Sequence, residues 1–136
     1  MTLNKLIPYG FIIAGLMNSS VLFSSRFFTN ETINEFDPSV MSNFGLLMIL
    51  IWGIAYVSVA FSYEKVKWLV GVFAIEKLIY GLVWLNWMQN NNLADVYAED
   101  TMTGSFYASY GINDWVFFVF FSLVFVRLMI PNKTRN

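Results

Sequence analysis

The chain has 136 residues with a net charge of −1; 57% are hydrophobic, 19% aromatic and only 12% charged. The charged fraction is about half of the ~25% typical of soluble domains, so the composition disfavours a water-soluble globule. There is no basic surface for a nucleic-acid partner. Cysteine and histidine are absent. Their absence excludes disulfide scaffolds, thiol redox chemistry, His-dependent nucleophiles and the usual zinc or haem ligands. We expect one membrane domain, residues 1–136, without metal or cofactor.

Four mostly apolar stretches have about the length needed to cross a bilayer, roughly 17–25 residues. They cover residues 6–23, 44–61, 68–88 and 115–130. The first stretch follows Lys5, as in a signal peptide, but it lacks a small-x-small cleavage site and stays apolar through Phe23. We therefore expect a retained helix. The sequence predicts an all-α integral membrane protein, an antiparallel bundle of four transmembrane helices.

The charges between the predicted spans set the orientation of the chain. One side carries the basic residues Lys5, Lys65, Lys67, Arg127, Lys133 and Arg135. Positive charge is retained on the cytoplasmic side of a membrane. The sequence therefore predicts a multi-pass protein of the inner (plasma) membrane with both termini in the cytoplasm.

The connections differ greatly in length. Residues 62–67 are so few that the second and third helices are predicted to be antiparallel neighbours. The connections 24–43 and 89–114 are far longer and are predicted to be extracytoplasmic loops. The second of them contains several Tyr and Phe residues. It is interpreted either as a segment lying on the lipid headgroups or as a lid or partner surface.

Two adjacent charged residues, Glu76 and Lys77, lie in the third span. Counting the helical rise from Lys67 places them roughly 13–15 Å deep, near the middle of the bilayer. Each charge there costs about 2.5–3.5 kcal/mol. Adjacent helix positions point about 100° apart, so the two side chains cannot pair with each other. Each needs its own partner or must become neutral.

Glu76 has predicted partners on neighbouring helices. The short connection and the tilt of helical side chains bring the Tyr56 hydroxyl to the height of the Glu76 carboxyl, which predicts a hydrogen bond. Asn18 on the first helix is a candidate second donor. Tyr80 lies one turn after Glu76 and Trp52 one turn before Tyr56. These residues predict a polar pocket with an aromatic wall.

Lys77 has no predicted partner in its own chain. Asp114 is expected at the outer start of the fourth span, about 15 Å away in depth. Lys77 must then extend toward the cytoplasm, be deprotonated, or meet a carboxylate of a second chain in an oligomer. Asp114 and Arg26 are interpreted as solvated residues at span edges. Arg127 is expected to extend toward the cytoplasm.

An ionisable residue inside a membrane span is a functional site by default, and a structural clamp is the alternative. The predicted function is binding or transport of a small amphipathic or apolar ligand, or a proton, in the Glu76 pocket. The alternative is an accessory subunit, with Lys77 and segment 89–114 contacting another membrane protein. An isolated carboxylate without a second acid, a phosphate loop or metal ligands indicates no reaction type, so no catalytic residue is assigned.

Two motifs carry a family resemblance. Trp52-Gly53-Ile54-Ala55-Tyr56 and Phe73-Ala74-Ile75-Glu76-Lys77-Leu78-Ile79-Tyr80 precede an Asp114 that opens a Phe-rich last helix. Together they resemble the small bacterial membrane proteins called BphX-like and, more loosely, the DoxX-like four-helix proteins. The resemblance covers nearly the whole chain. It implies a bacterial four-helix membrane protein and no settled activity.

Overall fold

The computed structural model describes residues 2–131, which form seven α-helices and one 3₁₀ turn, with no strand in that range. The helices are α1 (Leu3–Ser19), α2 (Val21–Ser24), α3 (Glu31–Phe36), α4 (Asn43–Val59), α5 (Lys67–Asn90), α6 (Leu93–Glu99) and α7 (Thr101–Met129). The turn is Tyr63–Lys65. The predicted all-α class is confirmed.

Three helical segments are long and apolar enough to cross a membrane: Leu3–Ser24, which joins α1 to α2, together with α5 and α7. The apolar helix α4 is shorter, with 17 residues. Large apolar side chains also cover the outer surface of the bundle, where Ile13, Ile54, Ile79 and Leu123 are each more than half exposed. Helices that are hydrophobic on every side are typical of membrane spans.

The four long segments pack as two pairs. α1 packs along α4, and α5 packs along α7. The predicted neighbours α4 and α5 meet mainly through large rings, since the centroids of Tyr56 and Phe73 are 4.8 Å apart. The Nη2 of Arg127 donates to the Oδ1 of Asn4 at 2.9 Å. The start of α1 and the end of α7 therefore lie at the same end of the bundle.

Two glycines allow the close approach of α1 and α4. A Cβ atom added at Gly15 would lie 2.6 Å from the carbonyl oxygen of Gly53. One added at Gly53 would lie 2.8 Å from the carbonyl oxygen of Gly15. Each glycine thus packs against backbone of the other helix, where no side chain can move aside. Small residues at such crossings let helix backbones approach in the absence of a hydrophobic driving force.

The last helix begins earlier than predicted. α7 starts at Thr101 rather than at residue 115, and α6 occupies part of the predicted loop 89–114. One face of this half of α7 packs into the bundle, where Thr103, Tyr107 and Gly111 are buried. The prediction was wrong because residues 101–114 have weak apolar character but contain no proline to stop the helix.

The Asp100 side chain caps the start of α7. It accepts hydrogen bonds from the Thr103 backbone N–H (3.1 Å) and hydroxyl (2.7 Å). It also pairs with the Arg26 guanidinium at 2.7 Å. An Asp at this position satisfies a backbone donor that the helix itself leaves unpaired. Arg26 is therefore an ion-pair partner and not merely a solvated residue at a span edge.

Arg26, Phe27 and Phe28 form a left-handed turn after α2, with φ values of 49°, 57° and 67°. This conformation costs L residues about 1–2 kcal/mol each, so it needs support from its surroundings. The Ser25 hydroxyl accepts from the Phe28 N–H at 3.0 Å, and the Thr29 hydroxyl donates to the Arg26 carbonyl at 2.6 Å. The turn, together with the Arg26–Asp100 ion pair, fixes the end of α2 beside the start of α7.

The Asp100 cap predicts a pH-dependent stability. Hydrogen bonds from Thr103, and then the Arg26 guanidinium, lower the pKa of Asp100 from 3.8 to about 2. Since the unfolded chain binds this proton more tightly, the stabilisation is complete above about pH 4 and is lost as the pH falls through about 2. We expect Asp100→Asn, which retains a cap oxygen, to cost about 0.2–1 kcal/mol at pH 6.

Thermal melts of both proteins between pH 6 and pH 2, in a detergent without ionisable groups, measure this difference. The gap between the two melting temperatures should narrow steadily below about pH 4, because protonation removes the charge that the variant lacks. A gap that stays constant down to pH 2 would contradict the assignment.

Candidate functional site

Polar side chains from all four long segments meet inside the bundle. Asn18 comes from α1, Tyr56 from α4, Glu76 and Lys77 from α5, and Asp114 from α7; each is less than a tenth exposed. Buried ionisable groups of this kind are costly unless they are paired and hydrogen-bonded. We call Asn18, Glu76, Lys77 and Asp114 the polar floor, because all four line one cavity in the bundle.

Lys77 is paired within its own chain. Its Nζ donates to the Oδ1 of Asp114 and to the Oδ1 of Asn18, both at 2.8 Å. It also lies 5.2 Å from the centroid of the Tyr56 ring, within the range of a cation–π contact. The Asn18 amide in turn donates to the Ile49 carbonyl at 3.0 Å. A buried cation is thus surrounded by a carboxylate, an amide oxygen and a ring face.

The prediction that Lys77 lacks a partner was wrong. It assumed that Asp114 begins the last helix near the bundle end, whereas α7 begins at Thr101, thirteen residues earlier. That length of helix, about 20 Å, carries Asp114 into the interior. The pairing therefore requires no carboxylate from a second chain.

The predicted hydrogen bond between Tyr56 and Glu76 is confirmed, with the Tyr56 hydroxyl donating to the Oε2 of Glu76. Asn18, the candidate second donor to Glu76, bonds elsewhere: its amide nitrogen donates to the Ile49 carbonyl, and its oxygen accepts from Lys77. Tyr80 lies near Glu76 as predicted. Trp52 does not join this group and packs edge-on against Phe73, with ring centroids 6.1 Å apart.

A cavity of about 510 Å³ lies directly against these polar residues. It runs between α1–α2, α4, α5 and α7, and it ends on the polar floor. Tyr80 also lines it. Four serines also line it, and we call them the serine mouth because Ser20, Ser105 and Ser109 are exposed and Ser24 is partly exposed. Five apolar side chains also line it: Met17, Val21, Ile49, Met102 and Phe106.

Sequence reasoning missed the α7 side of this cavity. Ser105, Ser109 and Asn113 repeat every four residues, which places them on one face of a helix. That spacing is the signal that could have revealed a polar face. It was overlooked because residues 89–114 were read as a loop.

Several polar atoms at the cavity have no partner among residues 2–131. The Glu76 Oε1 and the Asp114 Oδ2 receive no hydrogen bond there, since Tyr56 and Lys77 use the other oxygen of each carboxyl group. The buried hydroxyl of Tyr110, which also lines the cavity, has no partner in this range. Buried polar atoms are normally satisfied, so these atoms are available to something inside the cavity.

An aromatic plug closes the bundle on the other side of the polar floor. It consists of Phe11, Tyr56, Phe73 and Phe121, all fully buried. The Phe11 and Phe121 centroids are 5.2 Å apart, and those of Tyr56 and Phe121 are 5.0 Å apart. The plug lies toward the start of α5 and the end of α7. The plug therefore separates the cavity from the end of the bundle where α5 begins and α7 ends.

The Tyr56–Glu76 bond predicts different effects for two substitutions. Glu76→Gln should melt close to wild type, because the amide oxygen still accepts from Tyr56 at nearly the same volume. Glu76→Ala should lose about 1–3 kcal/mol of stability, since the buried hydroxyl is left without its acceptor. Thermal melts in one detergent at neutral pH compare the variants. If Glu76→Gln melts as low as Glu76→Ala, the carboxyl charge itself holds the fold.

Comparisons with known proteins add no relative. No protein-family model, curated protein or solved structure matches this chain. The resemblance to BphX-like and DoxX-like proteins therefore rests on the sequence motifs alone, and the function has to be inferred from the site.

Proposed function

We propose that the chain is a multi-pass protein of the bacterial inner membrane, crossed by α1–α2, α4, α5 and α7, with both termini in the cytoplasm. The apolar outer surface of the bundle supports insertion. The Arg127–Asn4 contact, which joins the two chain ends at one end of the bundle, supports an even number of crossings. Basic residues gather at that end, as expected for the cytoplasmic side: Lys5, Lys65, Lys67 and Arg127.

We further propose that the protein binds or transports a small ligand, or a proton, in the cavity above the polar floor. The observation that carries this proposal is that a cavity of about 510 Å³ ends on buried charged groups with unpartnered oxygens. A structural clamp would account for the Lys77–Asp114 pair. It would not account for a cavity beside the pair or for carboxyl oxygens facing it.

The two ends of the cavity indicate how a ligand reaches the site. In the proposed orientation the serine mouth faces the outside of the cell and the aromatic plug faces the cytoplasm. The ligand site is then accessible from outside only, as in one state of an alternating-access protein. Transport would require the plug to open, whereas a binding protein would keep it closed.

Cysteine labelling tests both the orientation and the cavity. The chain has no cysteine, so single-cysteine variants give an unambiguous signal. Ser109→Cys places a thiol at the cavity, while Ile112→Cys places one at similar depth on the exposed apolar face of α7. A membrane-impermeant, positively charged methanethiosulfonate added outside sealed cells should modify the thiol at position 109 and leave the one at position 112 unmodified.

Two results would contradict the proposal. Failure of the thiol at position 109 to react in the membrane, while it reacts in denaturant, would show that no open cavity reaches it. Reaction only from the cytoplasmic side would reverse the orientation. A stable heteromeric complex in mild detergent, without any small molecule bound, would favour the accessory-subunit alternative.

A further inference from the structure

We propose that the cavity selects an amphipathic monovalent cation with N–H donors, such as an alkyl or aryl ammonium. This inference rests on the proposed function and names its ligand class. It comes from the charge and hydrogen-bonding capacity of the polar floor and from the apolar wall above it.

The polar floor has one more negative than positive group. Glu76 and Asp114 are carboxyl groups, and Lys77 is the one cation that faces them within residues 2–131. Lys77 is held by Asp114 and Asn18, so Glu76 is the carboxyl without a cationic partner. A bound cation would compensate this charge. A bound anion would be repelled by it, and a neutral ligand would leave it unpaired.

The unpartnered carboxyl oxygens of the floor are acceptors. Glu76 Oε1 and Asp114 Oδ2 can each accept a hydrogen bond, and both belong to side chains that are more than nine-tenths buried. An ammonium group has several N–H donors for such oxygens. Hydrogen bonds between charged groups are roughly twice as strong as neutral ones. A quaternary ammonium, which has no N–H donor, would leave both acceptors unsatisfied.

The wall above the floor suits an apolar body on the ligand. Met17, Met102 and Phe106 line it, and the methionines are about half exposed. Methionine side chains adapt to ligands of different shape. The volume of about 510 Å³ lies within the ~300–1,000 Å³ range of small-molecule sites. The charge of the ligand would lie on the floor and its hydrocarbon part along this wall.

Binding of three matched compounds tests the inference. Phenethylammonium, phenethyl alcohol and phenylacetate share a ring and a short chain but differ in head-group charge. Radiolabelled phenethylammonium is added to the full-length protein in nanodiscs of zwitterionic phosphatidylcholine, which has no net charge to attract it. We expect unlabelled phenethylammonium to displace the label at least about tenfold better than the alcohol, equivalent to ~1.4 kcal/mol, and phenylacetate not to displace it.

Matched variants test whether phenethylammonium binding depends on Glu76 and on the serine mouth. Glu76→Gln should weaken phenethylammonium binding about tenfold while keeping the melting temperature, because the Tyr56 bond is retained. Glu64→Gln removes the same charge at an exposed position outside this cavity and should leave binding unchanged. Ser105→Trp fills the serine mouth and should abolish binding. Ile112→Trp adds the same ring on the apolar face of α7 and should not.

The results separate this inference from the proposed function. If the alcohol or phenylacetate binds as tightly as phenethylammonium and Ser105→Trp abolishes that binding, the cation selectivity is wrong and the cavity remains a binding site. Equal binding by Glu76→Gln and wild type would also overturn the selectivity. If none of the compounds binds, the ligand class is wrong, and the labelling at position 109 decides the cavity independently. Binding unaffected by Ser105→Trp would contradict both proposals.

Discussion

Asp114→Ala is expected to destabilise the protein by about 3–5 kcal/mol, the usual cost of removing one partner of a buried ion pair. The Lys77 Nζ would lose its 2.8 Å bond to Asp114 in surroundings where its side chain is only 1% exposed. An uncompensated cation is then left beside the aromatic plug. Lys77→Ala should cost a similar amount for the opposite reason, since Asp114 would join Glu76 as a second unpaired carboxyl group.

Replacing both partners should be much less damaging. In Lys77→Met/Asp114→Leu no charge remains to be paired at these positions, so we expect most of the lost stability to return. Only the Asn18 oxygen loses its donor. Asp95→Ala removes one carboxylate at an exposed position and serves as the control. Thermal melts in one detergent compare the two single variants, the double variant and the Asp95→Ala control with wild type. A double variant no more stable than Asp114→Ala would show that the pair is not an independent unit.

Gly53→Ala is expected to cost about 1–3 kcal/mol, as overpacking of a close contact usually does. The new methyl group would lie 2.8 Å from the Gly15 carbonyl oxygen and equally close to the Asn18 Cβ. The first of these atoms is backbone, so relief requires α1 and α4 to separate. Separation would also shift Asn18 away from Lys77 and weaken the polar floor.

Gly71→Ala is the matched control, a second glycine in a long helix of the same bundle. Its methyl group would approach a ring atom of Phe125 to 3.0 Å, at the far end of a side chain that can turn aside. Alanine is also the better helix former, by about 1 kcal/mol, which offsets the contact. We expect Gly71→Ala to melt near wild type. If the two variants melt alike, the α1–α4 contact is not the cause of the loss.

Part of the site follows from the sequence because it depends on local geometry. Tyr56 and Glu76 lie on helices joined by a short connection, and the rise per residue fixes their relative height. Their hydrogen bond was predicted for that reason. The role of Asn18 was not predicted, because its height along the bundle suits a contact with either Glu76 or Lys77. Only the side-chain positions show that Lys77 takes its oxygen and that Trp52 packs elsewhere.

The amino-acid sequence by itself determined the helical class and the approximate extent of the first three long helical segments, since length and apolar composition are properties of each segment. The tertiary structure decided where α7 begins, that α5 packs on α7, and that Lys77 meets Asp114. The start of α7 depends on the Asp100 cap and on burial of its weakly apolar first half against other helices. Because that start sets the depth of Asp114, the ion pair and the cavity beside it follow from packing between distant segments.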